Sequence, residues 1–64
     1  MRETELWRRL DRFLGAGYAR SWAQLVILPG LGGLTTVDAL AAGVPVVDVW
    51  RAVWAQLELP ESER

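Results

Sequence analysis

The residues with chemistry to offer are arginines: Arg8, Arg9 and Arg12 close together near the start, Arg20 in the next segment, and Arg51 in the last third of the chain. A guanidinium presents a planar fork of donors suited to phosphate, which makes Arg8, Arg9, Arg12 and Arg20 candidate phosphate contacts. Glu5 and Asp11 interrupt that run, and no aromatic residue is interleaved on its side, so a solvated helix face is the preferred reading. Glu5 stands four residues before Arg9 and supports it, whereas Arg8 stands four before Arg12 and repels it.

Other chemistry is sparse. The chain has no histidine and no cysteine, which removes the commonest general acid/base near neutral pH, the thiolate nucleophile and the usual metal ligands. Pro29-Gly30-Leu31-Gly32-Gly33 invites comparison with a phosphate-cradling loop, but no lysine or hydroxyl residue follows at the required spacing and no strand clearly precedes it. Its glycines are better read as permitting positive φ and close helix packing. We therefore expect a non-enzymatic protein with no catalytic residue, metal or cofactor.

The elements that would carry these residues read as helices. The stretch Leu34–Leu57 organises the chain. Thr35 and Asp38 form a T-x-x-D capping signal, Gly43 closes a short helix, and Pro45 suits the first position of the next, with Asp48 in its first turn. Val46, Val49, Trp50, Val53, Trp54 and Leu57 then recur at helical spacing. Upstream, Thr4 is a candidate cap for a helix whose apolar stripe is Leu6, Trp7, Leu10, Phe13 and Leu14, ended by Gly15. A second helix follows to Pro29, with Leu25-Val26-Ile27-Leu28 apolar on all sides; a short strand is the competing reading there, set aside for lack of a strand to pair with.

The expectation is thus an all-α fold: a small four-helix domain over residues 1–60, with helices at about 5–14, 17–28, 36–42 and 46–58, and a frayed polar tail over 61–64. One core should hold Trp7, Leu10, Tyr18, Trp22, Leu40, Val49, Trp50 and Val53. At 64 residues the chain is near the lower size for independent folding, and four tryptophans supply apolar area efficiently. All seven basic residues are arginine and the net charge is −1, which predicts no strong non-specific attraction to nucleic acid or membrane. No secretory signal or membrane-spanning run is present, so a cytoplasmic location is expected.

The C-terminal half has helix-turn-helix-like spacing, with Ala39 four residues before the turn glycine Gly43 and Val49 six after it. The outward positions of the last helix, Val47, Asp48, Arg51, Ala52, Ala55 and Gln56, offer few donors, and Asp48 would repel phosphate at the groove-entering end. DNA recognition is accordingly disfavoured.

Several motifs together carry a resemblance: T-E-L-W-R-R-L-D, the Gly15 junction followed by Y-A-R-S-W, L-G-G-x-T, A-L-A-A-G-V, D-V-W-R-A-V and the closing L-x-L-P. The chain resembles a small actinobacterial family of uncharacterised proteins, the domain of unknown function numbered thirty forty-six. The resemblance spans nearly the whole chain. It implies a cytoplasmic protein commonly encoded close to the recombinase gene and its regulator, and it implies no activity. It also implies departures: relatives carry polar residues where this chain has Leu25-Val26-Ile27 and Val46-Val47, and often cysteine in place of Trp54, so that either the helices around that indole stand further apart or the ring lies at the surface.

These features converge on a protein–protein interaction module. Its candidate partner surface is Leu25, Val26, Ile27, Val46 and Val47 with Arg51 on the polar rim, and its partner is either an unknown protein or a second copy in a weak homodimer. The alternative is a nucleic-acid-binding accessory protein of the helix-turn-helix type linked to recombination or repair.

Overall fold

Gly15 makes the first decision in the fold. Its φ of 88° lies in a region that L side chains rarely adopt, so the chain leaves one helix and enters the next across a single residue. In the computed structural model, which describes residues 1–64, this produces α1 (Glu3–Leu14) and α2 (Ala16–Leu25), packed on one another. α1 opens without a side-chain cap. Thr4, expected to be that cap, lies inside the helix, and Glu3 and Glu5 in the first turn complement the dipole instead.

α2 ends three residues earlier than its apolar run suggests. Val26 is extended, and Ile27–Leu28 (β1) pairs antiparallel with Leu34–Thr35 (β2) in the register Ile27↔Thr35 and Leu28↔Leu34. The partner strand that the sequence reading lacked lies just beyond the glycine loop. Pro29–Leu31 forms a 3-10 turn, and Gly32 and Gly33 follow with φ of 67° and 92°, which lets the hairpin close. The fold is therefore mostly helical, with the four helices that an all-α reading expects and, beyond that reading, a small two-stranded sheet.

Thr35 ends β2 and caps α3 (Thr36–Ala41), its Oγ1 accepting the Asp38 N–H at 3.1 Å as the T-x-x-D signal predicted. α3 closes in a Schellman motif: the Gly43 N–H reaches Leu40 O and the Val44 N–H reaches Ala39 O. Pro45 is the cap residue rather than the first helical one, and α4 runs Val46–Gln56. A second Schellman motif ends α4, with Glu58 N–H to Ala55 O and Leu59 N–H to Trp54 O. Here the left-handed residue is Glu58, with φ 52°, and the helix stops two residues short of expectation.

Around a fully buried Trp50 lie Leu6 and Leu10 of α1, Ala19, Trp22 and Ala23 of α2, Leu28 of β1, Ala39 of α3, and Val49 and Val53 of α4. Trp7 and Leu40 are half-buried at the margin of this core. Tyr18 is a correction: it is 56% exposed. The inward stripe of α2 is Ala19, Trp22 and Ala23, whose two alanines allow close helix approach, and that turns Tyr18 and Leu25 outward. The polar tail is another. Residues 61–63 form a 3-10 turn folded back on α4, with the Trp50 Nε1–H donating to Glu63 O at 2.9 Å and to Arg64 O at 3.0 Å. No helix is long and apolar enough to cross a membrane.

Candidate interaction surface

The apolar end of α2 continues into β1, and the strand period separates its side chains. Leu28 points inward and is fully buried, while Ile27 points outward and is 59% exposed. Leu25, on the last turn of α2, is 77% exposed. Val26 between them is half-buried and packs on the core. No charged residue stands between Arg20 and Asp38, so the segment that carries Leu25 and Ile27 has no charge of its own.

The other half of the expected surface is divided. Val46 packs against the core, Val47 is half-buried, and Arg51 is exposed. Arg51 lines a shallow groove of about 510 Å³ between the Pro29–Leu31 turn and α4, together with Leu31, Val44, Asp48 and Ala52. The turn approaches α4 closely at Gly30, where an added Cβ would come into van der Waals contact with Ala52 Cβ at 3.4 Å. α2 packs chiefly on α1 and α3, whereas α4 packs on α3, α1, β1 and the 3-10 turn. The two helices do not pack extensively on one another, so helix packing does not join Leu25–Ile27 to Val46–Val47.

The candidate phosphate contacts are all engaged. Arg8 and Arg9 share Glu5 at 3.1 and 3.0 Å; these bonds, led by that from Arg9, hold the Glu5 carboxyl below its ordinary pKa. Arg12 pairs with Glu63 and lies over the Phe13 ring, 4.7 Å from its centroid. Arg20 makes no ion pair but stacks on Trp7 at 4.3 Å, beside a second groove of about 380 Å³ floored by Trp7, Val37 and Leu40. No group of three acidic side chains converges.

A further cluster escaped the sequence reading. Arg9 stacks on Trp50 at 5.1 Å, Phe13 lies 6.4 Å from the same ring, and the Trp54 Nε1–H donates to Pro60 O at 2.9 Å. Trp54 is half-buried at the surface, which resolves the expectation about its added volume. The available signal was the pair Glu61 and Glu63 just after Pro60, opposite in charge to the arginines of α1.

The pattern of the family described as "Protein of unknown function (DUF3046)" matches residues 1–62. The chain belongs to the DUF3046 family. Within this DUF3046 fold the matched span covers all four helices and the hairpin. No curated protein and no solved structure matches the chain.

Proposed function

We propose that this protein works by contact rather than by chemistry, as a non-enzymatic interaction module whose docking surface is the Leu25–Ile27 end. The observation that carries the reading is the exposure of Leu25 and Ile27, at 77% and 59%, on adjoining elements with no charged residue in the intervening sequence. A second copy is the occupant best suited to such a surface: it brings the same apolar side chains on a segment that carries no charge of its own, beside a sheet of only two strands. Each Leu or Ile is worth about 1.5–3 kcal/mol when fully buried. Association itself costs about 4–15 kcal/mol, a range that overlaps the whole gain from the four side chains of two copies, so the dimer is weak.

The α3–α4 unit is read here as a packing hairpin rather than a DNA reader. α3 has only six residues, Asp48 lies in the first turn of α4, and Arg8, Arg9, Arg12 and Arg20 are engaged by Glu5, Glu63 and the Trp7 ring, which leaves the exposed Arg51 as the single arginine of α4. Sedimentation equilibrium tests the proposal. The expected result is a monomer–dimer equilibrium that Ile27→Lys abolishes without loss of helix content; a strict monomer at millimolar concentration overturns it.

A further inference from the structure

We propose that the face built by Arg9, Arg12, Phe13, Trp50 and Trp54 is a receptor for an acidic peptide segment, and that residues 60–64 occupy it in cis as a releasable competitor. The segment is held as a bound peptide would be. Its backbone oxygens at Pro60, Glu63 and Arg64 accept from two indole N–H groups, and its Glu63 carboxylate pairs with Arg12. The receptor side is preorganised by rings and guanidiniums that support one another, with Phe13 stacked on Trp50 and Arg9 over the Trp50 ring.

Three features make the segment releasable. None of its side chains belongs to the core. The Arg12–Glu63 pair is solvent-accessible, with the Arg12 side chain 59% exposed, and such pairs are weak. Release also turns the bonded indole N–H groups towards water, which can satisfy them. What holds the segment in place is tethering, equivalent to a local concentration on the order of millimolar for a short connection. A partner segment with a carboxylate placed as Glu63 is, and backbone oxygens placed for the two indoles, makes the same bonds and displaces it. This inference takes the contact-module reading as given and adds a second contact face, with a different chemistry from the Leu25–Ile27 end.

The sequence has no cysteine and Ser62 is exposed, so Ser62→Cys in the full chain accepts a single fluorophore of a kind that indole quenches on contact. The probe ligand is a synthetic peptide of residues 59–64; its control carries lysine in place of both glutamates. The acidic peptide should relieve the quenching with a saturable curve, and the lysine peptide should not. Adding Glu63→Gln to the labelled chain loosens the tethered segment and should lower the half-point about two- to five-fold, the worth of one exposed ion pair. Circular dichroism checks that the variant stays folded, and the titration without Glu63→Gln stands by itself if it does not. No relief by the acidic peptide at several times the tethered concentration, equal relief by both peptides, or a half-point unmoved in folded Glu63→Gln overturns the proposal. Sedimentation at the Leu25–Ile27 end reads the dimer separately, so failure of either reading is distinguishable from failure of the other.

Discussion

Two ends of this molecule present large apolar side chains, and they are finished in opposite ways. At the Trp50 end the chain returns on itself: Pro60–Arg64 lies over the indoles, their N–H groups are bonded, and Trp50 is fully buried. At the other end α2 stops, β1 begins, and Leu25 and Ile27 are left open. A fold this small has little surplus surface to hide, so the end covered by its own chain contributes to stability as it stands and offers contact only on release of that cover, whereas the uncovered end is open to contact directly.

The strongest way to break the comparison is to remove what the covered end encloses. Trp50→Ala empties the centre of the core and should cost about 3–5 kcal/mol, a large share of the ~5–15 kcal/mol that a typical domain has. Thermal unfolding followed by circular dichroism should show the variant unfolded or nearly so at physiological temperature; an unchanged melting temperature would contradict the core assignment. Ile27→Lys, at the open end, should leave that melting curve within about 0.5 kcal/mol of the parent while removing self-association.

The turn that leads the chain back to Trp50 gives a smaller effect. α3 and α4 end in the same motif, with Gly43 at the left-handed position in one and Glu58 in the other. A side chain pays for that conformation and glycine does not, so Glu58→Gly should stabilise by about 0.5–1 kcal/mol after its extra unfolded-state entropy is counted. That is a rise of a few degrees in melting temperature. A fall would show that the Glu58 side chain contributes more than its backbone strain removes.

The smallest expected effect concerns pH. The Glu5 carboxyl is held below its ordinary pKa, first by its bond from Arg9 and then by neighbouring charge. A lowered folded pKa means that the stabilisation is fully present above the ordinary glutamate value of about 4.3 and is lost as pH falls through the lower folded value. The difference in melting temperature between the parent and Glu5→Gln should therefore be small at neutral pH and vanish in strong acid. A difference that grows on acidification would contradict the pairing.

The helices were legible because their signals are local: Thr35 with Asp38, Gly15, Gly43, and the stripe through Val49, Trp50 and Val53. What was not legible depended on distant residues. The strand at Ile27–Leu28 needs Leu34–Thr35 across a glycine loop. The inward face of α2 is set by alanines packing on α1, so a reading weighted towards large side chains favoured Tyr18 over Ala19. The return of Glu63 to Arg12 spans 51 positions and has no periodic signature. Of the expected partner surface, Leu25 and Ile27 are the residues left open, while Val26 and Val46 pack on the core.

The most direct test of the open end is a concentration series of backbone amide NMR spectra of the parent chain. Contact through this surface predicts shifts that grow with concentration at Leu25, Val26, Ile27 and their neighbours, are absent along Arg8–Arg12, and disappear in Ile27→Lys. Spectra that do not change up to about 1 mM, a concentration that corresponds to about 4 kcal/mol of binding free energy, would contradict it, as would changes centred on the arginine face of α1.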